Sequence, residues 1–203
     1  MTWLRRLYDW VLKWAETPYG ATALFVLAFA ESMFFPVPPD ILLIALALGH
    51  RRRALYFGLI CSVASVLGGM AGYGLGHFLW LSGDGFTALA HFFFDFIPGF
   101  DPALYYDVGR KFEEWGFVII FTAGFTPIPY KVFTISAGAF NIDFLLFLLA
   151  STVSRTARFF LVAGLIWKFG EPIKTFIDNY FNLLALVFTI LLVGGFIVIK
   201  YLL

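Results

Sequence analysis

Charge is scarce in this sequence. Asp, Glu, Lys and Arg make up 13% of its 203 residues, against about 25% in soluble domains. The formal net charge is +1, so bulk charge gives no reason to expect a nucleic-acid partner. Cysteine is nearly absent. Cys61 stands alone in an apolar run, which excludes an intramolecular disulfide and a cysteine-rich metal site. His50, His77 and His91 are scattered. His-Glu-x-x-His, Gly-x-Ser-x-Gly and Cys/His pairings are all missing, so no enzyme, cofactor or metal is expected. Ser82-Gly83-Asp84-Gly85 reads as a turn and Asp143 as a helix cap. No polar linker divides the chain, which reads as one membrane domain, 1–203. Residues 1–6 lack a continuous apolar stretch and are not expected to form a cleaved signal peptide.

Apolar residues are abundant. They make up 61% of the chain, with 27 phenylalanines, and mean hydropathy is +0.88. An integral membrane protein of all-α class follows, because helices satisfy their own backbone in lipid. Residues 3–17 set Trp3, Leu4, Leu7, Trp10, Val11 and Trp14 at helical spacing, which predicts an interfacial amphipathic helix. Residues 20–49 are apolar apart from Glu31 and Asp40, and are broken at Pro36, Pro38 and Pro39. Each proline lacks a donor and clashes with the preceding turn. Arg5, Arg6 and Lys13 precede this stretch and Arg51-Arg52-Arg53 follow it. Both clusters belong on the cytoplasmic side, which favours a re-entrant hairpin over a crossing.

Residues 54–80 then predict a transmembrane helix, with Gly68, Gly72 and Gly76 on one face for close helix packing. Residues 81–116 hold more acid than base and read as an extracytoplasmic interfacial segment with short helices. Residues 117–140 predict a second re-entrant hairpin, broken at Pro127 and Pro129, and 144–168 a second transmembrane helix. A C-terminal transmembrane helix is expected over 183–203. Hairpin plus helix therefore occurs twice, with one crossing between. Such inverted repeats with broken helices are a transporter architecture.

Glu31, Asp40, Lys131, Arg155 and Arg158 lie at apparent membrane depth. Each costs about 2.5 kcal/mol or more at a helix centre unless partnered or hydrated. Asp40 and Lys131 follow the two breaks and are expected to pair if the hairpin tips meet. Arg155 and Arg158 sit at i, i+3 and suit a phosphate or two carboxylates. The plainer alternative is a closed network in which Glu31 and Asp40 neutralise two of the three bases. Glu31, among Phe and Ala, is the better proton carrier. On these residues, Lys131, Arg155 and Arg158 are candidate phosphate ligands, with Glu31 and Asp40 as charge partners or proton carriers.

Glu31 ahead of Phe35-Pro36-Val37-Pro38-Pro39-Asp40, the Gly68–Gly76 run with Tyr73, and Phe125-Thr126-Pro127-Ile128-Pro129 leading to Ser136-Ala137-Gly138 come in a specific order. In this the chain resembles the DedA family, also called the VTT or SNARE-associated Golgi protein family, over roughly residues 25–170. The resemblance implies a multi-pass protein of the bacterial cytoplasmic membrane with two opposed re-entrant hairpins. It also implies movement of lipids across the bilayer, undecaprenyl phosphate or phospholipids, linked to the proton-motive force. Its acidic hairpin residues match Glu31 and Asp40. Its second hairpin carries arginines where this chain has Gly124 and Tyr130. The expected function is translocation of a phosphate-bearing lipid, with membrane lipids as partners. A proton-coupled transporter of small ions or solutes and a non-transport scaffold are the alternatives. The sequence is compatible with a homo-oligomer.

Overall fold

Prolines and caps set most of the element boundaries. The computed structural model describes residue 14 and residues 17–35, 37–82, 85–96, 101–126 and 129–170. The expected C-terminal helix, most of 3–17, Pro36 and Pro127 lie outside the described residues. Helix α1 runs Gly20–Met33. It ends where the Phe34 and Phe35 N–H groups both donate to the Ala30 carbonyl, just ahead of the proline run. Helix α2, Asp40–Gly49, starts directly after Pro39 and carries Asp40 in its first turn. An acid there suits the positive end of the helix dipole.

A short 3-10 turn, Arg51–Arg53, leads into α3, Ala54–Trp80. Two-residue strands β1 (Leu81–Ser82) and β2 (Gly85–Phe86) pair antiparallel, and α4 follows over Ala88–Phe96. Apart from this short ribbon every element among the described residues is a helix, consistent with the all-α expectation. Helix α5, Pro102–Phe125, is capped by Asp101, whose carboxylate accepts from the Leu104 N–H at 2.7 Å. Helices α6 (Tyr130–Ala139) and α7 (Phe144–Phe169) complete the order. Asn141 takes a positive φ of 53° between them, and Asp143 caps α7 through the Leu146 N–H.

One boundary needs correcting. The sequence reading divided an interfacial segment from the second hairpin at 116/117. A single helix crosses that point, with Tyr105, Phe112, Gly116, Ile120 and Ala123 on its buried face. The Asp101-Pro102 start signal and this unbroken periodicity outweigh the local charges.

Helix α3 is the hub, packing against α1, α6 and α7. It runs antiparallel to α7. Arg51, before α3, bonds to Trp167 and Lys168 at the far end of α7, a Cβ on Gly58 would touch Ala163, and Ser65 meets Arg155. Two apolar cores flank this crossing. One joins Leu24, Ala28, Leu43, Phe57 and Phe159; the other joins Ile120, Ala123, Tyr130, Ala137 and Phe147. Tyr105 and Tyr73 donate to the Ala139 and Ile142 carbonyls, fixing the turn between α6 and α7.

The outward faces are apolar as well. Leu59, Val63 and Leu67 on α3 and Leu145, Leu149 and Val153 on α7 are all exposed. Two helices, Arg51–Trp80 and Phe144–Phe169, are long and apolar enough to cross a membrane. Arg51 donates to the Trp167 carbonyl at 2.8 Å and the Lys168 carbonyl at 2.5 Å, covering orphan acceptors at the α7 terminus. Arg51→Ala is expected to cost about 1 kcal/mol or less. Hydrogen exchange should speed up in the last turn of α7 alone, and faster exchange throughout α7 would contradict this capping role.

Candidate functional site at the two helix breaks

Five charged side chains converge from four helices. Glu31 sits in the last turn of α1, Asp40 opens α2, Lys131 lies at the start of α6, and Arg155 and Arg158 stand in mid α7. The crossing of α3 and α7 brings the last two to the first break. Arg155 donates from Nη2 to Glu31 Oε2 at 2.9 Å and from Nε to Ser65 Oγ at 2.5 Å. Ser65 Oγ is 2.6 Å from Ser32 Oγ, and Ser32 contacts the Glu31 carboxylate at 3.3 Å. The Arg155 guanidinium also lies 4.8 Å from the centre of the Tyr130 ring and 4.7 Å from that of Phe159. Charge, hydrogen bonds and ring faces all hold this arginine, which is only 3% exposed.

Arg158 makes the second pair. Its Nη2 donates to Asp40 Oδ2 at 2.8 Å, and its Nη1 contacts the Phe125 carbonyl at 3.3 Å. One guanidinium therefore touches both breaks. The pair is more open than the first: side-chain exposure is 17% and 18% for Arg158 and Asp40, against 4% and 13% for Arg155 and Glu31. Its Nε is buried without a hydrogen-bond partner among the described residues.

Lys131 Nζ donates to the Phe35 carbonyl at 2.8 Å. No carboxylate lies within ion-pair distance of it among the described residues. The expected Asp40–Lys131 pair does not form. Asp40 takes the forked guanidinium of Arg158, and Lys131 takes a carbonyl left free where α1 ends, a site that favours cations. Arg155 and Arg158 each take a carboxylate of their own, so Glu31 and Asp40 neutralise two of the three bases, as the plainer alternative expects. Of the remaining expected residues, Pro39 is buried while Pro38 and Pro129 are exposed. Gly68, Gly72 and Gly76 are buried against α1 and α6.

Sequence reasoning missed Ser32 and Ser65, which support the inner pair, and the ring of Tyr130. The signal for the serines was present. Both are hydroxyls inside otherwise apolar helices, where an unpaired polar group is costly.

The geometry lies within a stretch shared with other proteins. An uncharacterised protein of Haemophilus influenzae is 31% identical to this chain over 197 residues, covering 96% of each. The chain belongs to the same family as that protein. A match of this extent takes in both breaks and both long helices. An uncharacterised protein of Histophilus somni is 34% identical over 181 residues, 85% of this chain and 87% of that protein. One of Methanocaldococcus jannaschii is 26% identical over 141 residues, 69% of this chain and 79% of that protein. No family model matches the chain, and no solved structure matches it.

Proposed function

We propose that this chain is a polytopic protein of the bacterial cytoplasmic membrane, of the DedA kind, that moves a phosphate-bearing lipid between leaflets. The observation that carries this reading is Lys131. It is a cation without a carboxylate partner among the described residues, held where two broken helices meet. Outward apolar stripes on α3 and α7 support a lipid environment. The antiparallel α3 and α7, each preceded by a broken pair of helices, support an inverted repeat. Arg51 against Lys168 puts two basic ends together, as a cytoplasmic face requires.

The departures from the DedA pattern fit the same reading. A Cβ on Gly124 would crowd the Ser154 side chain and touch that of Arg155, so a larger residue there would need α7 side chains to shift. Tyr130 is fully buried beneath Arg155. The positive charge at this level comes from α7 instead. In this reading Arg155, paired with Glu31 and bonded to Ser65, holds Glu31 in place. Lys131 and the more open Arg158 receive the phosphate. Phosphate at Arg158 competes with Asp40 for the guanidinium.

Purified protein in liposomes should accelerate transbilayer movement of a labelled phosphatidylglycerol. Arg158→Gln should slow it about tenfold, equivalent to roughly 1.4 kcal/mol, the low end for a charge-assisted hydrogen bond. An unchanged rate removes Arg158 from the path, and ion flux without lipid movement favours the solute transporter.

A second reading has a specific observation behind it. Both carboxylates are already paired, as in a purely architectural network. That scaffold reading expects Asp40→Asn with Arg158→Met to fold normally and to leave every function of the protein unchanged.

A further inference from the structure

A groove of about 600 Å³ runs beside α1. Trp14, Ala23, Val26, Ala30, Phe35 and Leu42 are among its lining residues, and among the described residues no charged side chain lines it. Its volume falls in the range of ordinary ligand sites. Phe35 belongs to two places at once. It lines this groove, and its carbonyl receives the Lys131 ammonium at 2.8 Å. An apolar slot therefore meets an uncompensated cation at one residue, next to the first break.

We propose that the groove seats one hydrocarbon chain of an anionic phospholipid while Lys131 holds its phosphate. This rests on reading the breaks as a lipid-phosphate site, and adds a tail subsite and a direction of approach. Charge complementarity selects the occupant. A plain hydrocarbon gains little by leaving lipid for an equally apolar slot. A molecule with a negative head and an apolar tail gains at Lys131 and is oriented by the groove. The tail is guided along α1, so the lipid enters sideways between α1 and α2. The phosphate replaces the Phe35 carbonyl as the partner of Lys131 Nζ. Lysine suits this exchange, being a compact charge with three rotatable donors.

Photo-crosslinking tests the proposal on the full-length protein in bilayers. The probes are phosphatidylglycerol with a diazirine in one acyl chain and diacylglycerol with the same chains. Adducts are mapped by mass spectrometry, with the outer face of α3 at Leu59, Val63 and Leu67 as the baseline for bulk lipid. Phosphatidylglycerol should label residues 19–35 about tenfold above diacylglycerol, the scale of one charge-assisted hydrogen bond. Lys131→Gln should remove that preference, and Ala30→Trp should remove labelling of the groove, with baseline labelling unchanged in both. Equal labelling by the two lipids, or adducts spread evenly over α1 and α3, overturns the proposal. The translocation assay stands apart. Localised adducts without lipid movement uphold the subsite and sink the transport reading. Lipid movement without localised adducts does the reverse.

Discussion

A methyl group at Gly76 or Gly138 is expected to push α6 off α3 and to cost about 3 kcal/mol, the upper part of the range for overpacking. The two helices touch backbone to backbone. A Cβ on Gly76 would lie 1.9 Å from the Ile135 carbonyl oxygen and 3.0 Å from the Ala139 nitrogen. A Cβ on Gly138 would lie 1.9 Å from the Tyr73 carbonyl oxygen and 2.9 Å from the His77 nitrogen. No side chain can rotate away, so a whole helix must move. Gly74 is the internal control on the same helix, because a Cβ there meets nothing within 4 Å. Gly74→Ala should be neutral or stabilising by about 0.5–1 kcal/mol, the usual gain of alanine over glycine in a helix. Gly76→Ala and Gly138→Ala should also be strongly non-additive, since either one opens the gap that the other needs. Equilibrium unfolding in mild detergent measures all four variants. Equal effects at Gly74 and Gly76 would show that α3 and α6 do not approach so closely.

The α3 side of that contact was legible, because Gly68, Gly72 and Gly76 repeat every four residues and a helix puts them on one face. The α6 side was not. A lone Gly138 after Ser136 and Ala137 has no period of its own. Helix limits were legible wherever a proline or a cap stood, as at Pro39-Asp40 and Asp143. They were misread at 116/117, where a charged stretch looked like a boundary. The charged residues of the site were picked out by the rarity of charge in an apolar chain. Their partners were not, because pairing depends on how α7 crosses α3. That crossing puts Arg155 beside Ser65 and Glu31, and leaves Arg158 to reach Asp40 across the breaks. The repeat suggested a symmetrical Asp40–Lys131 pair. Sequence symmetry fixes which elements correspond, but not how far a side chain from a neighbouring helix can reach.

The inner ion pair should be the most sensitive charged position in the protein, and unequally so for its two members. Glu31→Gln leaves the Arg155 cation 3% exposed, with Ser65 and two ring faces as its remaining partners. Arginine cannot shed its proton, so a cost of about 3–5 kcal/mol is expected, the usual range for breaking a buried pair. Arg155→Met leaves a carboxylate that is more exposed, with Ser32 beside it. A more exposed ion costs less to leave unpaired, so this variant should lose less. Removing both charges with Glu31→Leu and Arg155→Met should recover most of the stability, since no ion is then left buried alone. The outer pair should behave differently. Asp40 and Arg158 are somewhat more exposed than the inner pair, and Asp40→Asn should cost less than Glu31→Gln, about 1–3 kcal/mol. Chemical unfolding of the four variants orders them directly. If the double variant is worse than both single ones, the inner pair is more than a neutral strut, and Glu31 needs its charge for the fold itself. If Asp40→Asn matches Glu31→Gln, the outer pair is as closed as the inner one, and a phosphate could not displace Asp40 from Arg158.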